Sequence, residues 1–572
     1  MVAASGAGDG CSRRQYLAGA CGVAGAIAAP TLLSDPASAA SPRARAKYGR
    51  ARISRDGYRR LAGYERAQQQ QGNGLQFSKK VDAVKDLGCD PNGGAPVQDT
   101  LNSKIEDGML VVFPPGTYAA TGEINPSASQ FGIVGAGYQQ ASRPPKLGKG
   151  AVVFKTKADS PFKLFNAGPV EQGLIGNFVI DQRNGPMGGV TVRSSGNVRV
   201  RDVRTVGAQT AVGNGDGTPF FFEPFAEGSD SLIVFERCIA RGGGIPGTKN
   251  IGGSAGVGIF QRNGETGRIV LKDCVIENMS DNGVYGARTT ATVIVLGGLY
   301  RNNDVSQVRV NGDARVDGVD IVIDEKNYTG LKSKSHGNER GPGWPATNGL
   351  KLETYSAGSV TAGTTVTNCD FRGNSVADPS SIGGLVNFFA SAGGATLDNC
   401  RFTNNISGTT SIIASNPSTA PSPVKITITN SLIQGGGAGQ NAAVNISGRP
   451  RSLVKNTCLS YPGASRDDIK GAGASNVSFG PKCASGGLKA PGKVGSGGNL
   501  SSLPAPKING SPAVGGGGGG GGGLKIKIGK IVLAAAALLV LIAVLAVVGV
   551  PSIAVGFGIL SSVVLAYLLD DD

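Results

Sequence analysis

The chain has 572 residues, 92 of them glycine, with 6% aromatic and 17% charged side chains and a formal net charge of +16. So much glycine with so few charges excludes a coiled coil or helical bundle for the body and points to a turn-rich, repetitive β architecture. His336 is the sole histidine and no Cys-x-x-Cys occurs, which excludes a zinc site and a histidine-based catalytic triad.

Residues 1–39 read as a signal peptide of the twin-arginine type. Ser12-Arg13-Arg14-Gln15-Tyr16-Leu17 supplies the arginine pair, an apolar run reaches Leu33, and Ala37-Ser38-Ala39 offers a cleavage site. A lipid-attachment role for Cys21 would cut the apolar run short. The expectation is export by the twin-arginine route, with the body already folded. Residues 40–79 follow as a basic, low-complexity segment. Ser41–Lys80 holds eleven Lys/Arg against Asp56 and Glu65, a net of +9. Such a stretch is expected to be disordered or loosely helical. Its charge suits anionic lipid or an acidic surface polymer through residues 43–80; the plainer reading is a solvated linker. Nucleic acid is not expected as a partner of an exported chain.

Val97, Leu101 and Ile105 recur every four residues, an apolar stripe that predicts a short helix. Beyond it, from about Phe131 to Phe479, short strands alternate with Gly and Asn. Lys272-Asp273-Cys274-Val275-Ile276-Glu277-Asn278 returns, position by position, as Leu296-Gly297-Gly298-Leu299-Tyr300-Arg301-Asn302. At the same offset Ser280–Tyr285 falls on Asp304–Arg309. The phrase recurs around Cys238, Cys369, Cys400 and Ser431. A period in the twenties with strand alternation predicts a β-solenoid, because one coil is too thin to bury its own apolar face. Cysteine and the residue two places on (Ile276, Tyr300, Phe371, Phe402) are expected to stack inward. A β-sandwich would not return the same Asn-Cys-x-apolar phrase at coil spacing.

After the helix comes Met109-Leu110-Val111-Val112-Phe113-Pro114-Pro115-Gly116-Thr117-Tyr118. This start resembles the pectin-lyase-like superfamily, whose members open with a capping helix after a Gly- and Asp-containing loop, here Gly88 to Asp99. The resemblance implies an all-β, right-handed parallel β-helix over residues 80–485 with a short N-terminal capping helix. Cys458 and Cys483, both in the irregular region past the clear repeats, are the expected disulfide. Residues 486–523 form a Gly/Pro/Ser-rich linker ending in the Gly515–Gly523 run.

Residues 524–572 read as a transmembrane anchor. The stretch 531–569 has no charged side chain, and about 20 helical residues cross a bilayer core. Gly549, Pro551 and Ser552 break it, which predicts a transmembrane helical hairpin of about 531–549 and 552–569, with a single span as the alternative. The expected location is membrane-anchored with the β-helix outside the cell. Lys525, Lys527 and Lys530 would then lie outside, against the positive-inside tendency.

The resemblance implies two chemistries on acidic polysaccharides, hydrolysis by clustered aspartates and calcium-assisted lyase action. The chain has neither the Gly-His-Gly of the first nor the arginine signature of the second, and no adjacent Asp-Asp falls within the clear repeats, since Asp467-Asp468 follows them. Catalytic residues therefore stay unassigned, and no cofactor or metal is implied, with calcium left open. The repeat does place Arg241, Glu277, Arg301 and Arg372 three residues after the cysteine position. A looser alignment of Val316–Asp324 with Val293–Arg301 adds Asp324. The expectation is a ladder of alternating charge with Asp304 and Arg309 nearby, either a sugar-binding face or a structural ion-pair ladder. The loop with His336, Glu339, Arg340 and Trp344 is a second candidate, because a tryptophan near charges suits sugar stacking. The expected function is binding or processing a polysaccharide or glycoconjugate; the alternative is a non-catalytic structural or adhesive surface protein.

Overall fold

In a computed structural model of the chain, residues 75–483 are described except 157–161, 184–187, 208–219, 244–255, 262–264, 330–346, 355–361, 377–381, 438–440 and 482; Arg59 and Lys507–Ile508 are described besides. The signal segment, most of the basic segment, nearly all of the linker and the hydrophobic tail lie outside the described residues. Within them no helix is long and apolar enough to cross a membrane.

Each coil contributes one strand to each of three parallel sheets, met in the order III, I, II. One turn of the solenoid runs through Val257–Phe260 in sheet III, Arg268–Lys272 in sheet I and Val275–Met279 in sheet II. The next runs through Asn282–Gly286, Thr292–Leu296 and Leu299–Arg301. Successive coils pair in parallel and in register: Lys272 with Leu296, Ile276 with Tyr300, Tyr285 with Arg309. The internal match in the sequence is thus one coil. Phe165–Asp181 and Val190–Val206 each pass through all three sheets. The chain is a parallel β-helix; a right-handed sense is the general rule for parallel crossovers.

The recurring phrase has a local cause. Between sheets I and II the chain must turn sharply without breaking either ladder, and it does so through one residue with positive φ. That residue is Asn177, Asp202, Arg237, Asp273, Asn368, Asn399, Asn430, Asn456 or Asn476, with Gly297 (φ 64°) and Gly318 (φ 67°) in two coils. Asn and Asp tolerate the left-handed region better than other side chains, and glycine enters it freely. The asparagines also bond one another from coil to coil: Asn399 Nδ2 donates to Asn368 Oδ1 at 2.7 Å, and Asn476 Nδ2 to Asn456 Oδ1 at 2.8 Å. The next residue points inward: Cys238, Cys274, Cys369 and Cys400 are all buried there, and in one coil Phe178. Two places on, Ile276, Tyr300, Phe371 and Phe402 are fully buried, as expected, and the last two rings stack at 4.9 Å.

The predicted helix, α1, spans Gln98–Lys104, with Val97 and Ile105 as its caps. Its stripe of Val97, Leu101 and Ile105 joins the continuous solenoid core beside Leu87, Tyr118 and Ala120. Gln98 Nε2 donates to Thr121 Oγ1 and Asn102 Nδ2 to the Glu123 carbonyl, fixing α1 to the first coil. At the other end Cys458 and Cys483 are disulfide-bonded, as expected. Coiling continues further than the repeats suggest. Leu453–Lys455, Cys458–Ser460, Ile469–Lys470, Gly473–Ser475 and Ser478–Phe479 all extend the three sheets. Asp467-Asp468 therefore lies inside the last coils, in a turn where the Ser465 hydroxyl and the Asp468 side chain cap each other's backbone.

Candidate functional site

Strand alternation sends every second side chain outward, and parallel register lines those side chains up from coil to coil. On sheet II one outward row reads Arg241, Glu277, Arg301, Val322, Arg372. The first three form a closed network. Arg241 Nε lies 2.7 Å from Glu277 Oε2, and Arg301 Nη2 lies 2.6 Å from Glu277 Oε1. The expected contacts among Arg241, Glu277 and Arg301 are therefore made.

Asp324 does not extend that row. The coil between sheet II strands is shortened here, so Arg301 pairs with Val322, not Asp324. The looser alignment was two positions out. A slip of two keeps every side chain on its own face, so apolar alternation cannot reveal it. Asp324 instead fastens a turn. Its backbone N–H donates to Asn302 Oδ1 at 2.7 Å, and its carboxylate accepts from Asn327 Nδ2 at 2.8 Å and Ser375 Oγ at 3.1 Å. Asp304, fully buried at the entry to sheet III, faces Tyr328; burial, reinforced by Asp304, pushes that phenol up. His336 and Trp344, with Glu339 and Arg340, lie outside the described residues.

Arg309 belongs to sheet III. There the outward row runs Phe260, Tyr285, Arg309, Lys351, Asn387 on successive coils. The Arg309 guanidinium sits 4.2 Å from the Tyr285 ring centroid, and Phe260 meets that ring edge-on at 5.5 Å. Arg288 Nε donates to the Tyr285 hydroxyl at 2.9 Å. Arg309 reaches Glu353 Oε2 through Nη2 at 2.8 Å, and Lys351 Nζ reaches the same oxygen at 3.0 Å while lying 3.8 Å from the Phe389 ring centroid. Among the described residues, Arg288, Arg309 and Lys351, the faces of Tyr285 and Phe389 and the Glu353 carboxylate thus share a single strip. Arg309 and Lys351 each keep 7% of their surface exposed, so they form its floor.

Tyr285, Arg288, Lys351 and Glu353 are additions that sequence reasoning did not single out. The Tyr285–Arg309 register was legible from the internal repeat. Lys351 was not, because the insertion across 330–346 separates it from Arg309 in the chain while the sheet sets the two side by side. A second addition is Asp320 beside Asp370 on adjacent coils of sheet II. Arg372 Nη2 lies 2.7 Å from Asp370 Oδ2 and 3.7 Å from Asp320 Oδ1. At the turn between sheets I and II, burial would raise the Glu236 carboxyl, but Lys272 and Arg237 beside it prevail and hold it down at about 2. Among the described residues no group of three or more His, Cys, Asp or Glu side chains is disposed to hold a metal ion.

No protein-family description matches the sequence, and no curated protein is significantly similar to it. Among solved structures the chain is similar to the mannuronan C-5 epimerase AlgE6 A-module of Azotobacter vinelandii, at 14% identity and a TM-score of 0.39, over 70% of this chain and 99% of that one. It is similar to the Dettilon tailspike protein at 9% identity and a TM-score of 0.33, over 70% and 68%. It is similar to the Streptococcus pneumoniae surface protein and adhesin PfbA at 12% identity and a TM-score of 0.29, over 70% and 97%. Likenesses this distant carry no conclusion about activity. On its own strand pairings, the chain is a parallel β-helix.

Proposed function

We propose that this β-helix binds an acidic polysaccharide or glycoconjugate along the outward strip of sheet III. The observation that carries the reading is the stack of Tyr285, Arg309 and Lys351 on three successive coils. Cations spaced about 4.8 Å apart over aromatic faces match a polymer that presents repeated acidic groups and apolar sugar faces. Arg288, bonded to the Tyr285 hydroxyl, adds a third cation to the strip. The chain's two ends complete the picture: export by the twin-arginine signal, and retention at the outer membrane face by the hydrophobic tail. Lys525, Lys527 and Lys530 weigh against that orientation.

The test is a binding panel with the purified full-length chain in detergent, against uronate-rich, sulfated and neutral polysaccharides. Retention of acidic polymers that weakens steeply with salt supports the reading. Equal affinity for neutral polymers, or none for any, favours the structural or adhesive alternative. Cleavage has one observation in its favour, the carboxylates of Asp320 and Asp370 on adjacent coils. The sharing of Arg372 commits both to ion pairs, which favours binding over chemistry. New reducing or unsaturated ends in the same panel, lost in Asp370→Asn, would reverse that preference.

A further inference from the structure

From Asn177 on, the chain turns between sheets I and II at one residue of positive φ. One coil earlier the same turn takes up residues 136–151, between the strands Gln130–Gly135 and Val152–Thr156. This insertion is fastened along its length. Asn177 Nδ2 donates to the carbonyls of Gly135 at 3.1 Å and Ala136 at 2.8 Å. Tyr138 packs with Phe77, Leu110, Val134 and Leu174 over the outside of sheet I. The Ala141 carbonyl accepts from Arg201 Nη2 at 3.3 Å and Arg237 Nη2 at 3.2 Å. Leu147 packs against Ala151, Val153 and Val179 on sheet II. The insertion is therefore a built ridge over the edge between the two sheets.

Its charge is one-sided. Residues 136–157 carry Arg143, Lys146, Lys149, Lys155 and Lys157 and no Asp or Glu. Arg143, Lys146 and Lys149 are exposed, and among the described residues none of them makes an ion pair, a side-chain hydrogen bond or a ring contact. The carboxylate of Asp202 is taken by the two arginines that hold Ala141, and that of Asp181 by Arg183. Arg309 and Lys351 of the sheet III strip lie over rings, which suits a sugar face. The ridge offers charges on long stems with no stacking surface, which suits phosphate headgroups.

The course of the chain supplies the source of those headgroups. Lys507–Ile508 runs parallel to Gln76–Phe77, and Phe77 is the ring on which Tyr138 packs. The C-terminal side of the chain thus returns to the first coil, next to the ridge. Residues 509–523 lead on from there, fifteen residues that include the Gly515–Gly523 run. The ends of a glycine-rich chain of that length lie roughly 20 Å apart. A span beginning near residue 531 keeps the ridge within reach of the bilayer surface.

We propose that the 136–151 insertion is a lipid-docking ridge, with Arg143, Lys146 and Lys149 resting on the anionic headgroups of the membrane that holds the tail. The proposal rests on reading residues 531–569 as the anchor.

The test uses the full-length chain in nanodiscs of zwitterionic lipid, alone or mixed with anionic phospholipid. A neutral acetylating reagent, read by mass spectrometry, reports the exposure of each lysine. Acetylation of Lys146 and Lys149 should slow about fivefold in the anionic discs and recover in high salt. Lys455, exposed on one of the last coils, should react alike in both. Equal rates at Lys146 and Lys149 in the two lipids, or equal slowing at Lys455, overturn the proposal. So does protection of the two lysines by a soluble acidic polysaccharide but not by anionic lipid. Arg143→Ala with Lys146→Ala and Lys149→Ala should abolish the lipid-dependent slowing of amide exchange across 137–151. Slowing that persists in this variant also overturns it. The anchor is judged separately, because a chain stripped from vesicles by alkaline carbonate does not span them. Sedimentation of such a chain with anionic vesicles, lost in the triple variant, still supports the ridge, and no sedimentation sinks it.

Discussion

Two outward strips of the same solenoid use arginine in opposite ways. On sheet II, Arg241 and Arg301 each take one oxygen of Glu277, whose side chain is 2% exposed. On sheet III, Arg309 and Lys351 share one oxygen of Glu353 and lie against the rings of Tyr285 and Phe389. The proposed binding strip rests on that difference in surroundings. A network centred on one carboxylate holds neighbouring coils in place, whereas the cations set over aromatic faces on sheet III are the ones proposed to meet a ligand.

The sharpest way to break this contrast is at Glu277. Glu277→Gln leaves two guanidiniums facing each other with little water, and should lower unfolding stability by roughly 4 kcal/mol in a denaturant titration. Affinity for acidic polymers, measured well below the unfolding midpoint, should stay within about twofold. A loss of affinity larger than the loss of stability would move the site to sheet II.

The Glu236 network sharpens the same point through pH. Its carboxyl is held at about 2, below the ordinary 4.5, so it binds its proton more weakly folded than unfolded. Its contribution is fully present above the unfolded pKa, near 4.5, and is lost as pH falls through the folded value near 2. The loss should amount to roughly 3 kcal/mol, and Glu236→Gln should flatten the stability curve between those two limits. A slope unchanged by the substitution would mean that other carboxylates carry the acid response.

The smallest expected change in stability comes from the strip proposed to bind. Arg309→Met with Lys351→Met and Glu353→Gln keeps the apolar stems on the rings and leaves no carboxylate stripped of its cations, so stability should fall by only about 1 kcal/mol. Affinity for acidic polysaccharide should fall at least about tenfold, and its salt dependence should flatten. If stability collapses and affinity holds, the two strips are alike and sheet III is also structural.

The fold was legible because its hardest local demand repeats. From Asn177 on, each coil needs a residue that tolerates positive φ, and in most coils a small inward side chain follows, so Asn-Cys returns as a phrase. Where glycine takes the first role, at Gly297 and Gly318, the phrase fades but the register does not. The site was legible only where coils lack insertions. Glu277 and Tyr285 could be set against Arg301 and Arg309 by counting. Lys351 lay beyond a long insertion and Asp324 on a shortened coil, and neither could be placed by periodicity.

The asparagine turns have a further consequence. Coil length is far from constant: on sheet I, Ile294 pairs with Arg315, Arg315 with Thr365 and Thr364 with Ala395, yet each strand meets its neighbour in line. The turn works as an indexing notch: it resets the chain once per revolution, so length added elsewhere in a coil is not carried forward as error. The molecule can therefore gain or lose whole loops, and with them change what it grips, while the lattice of the strip stays at the same pitch.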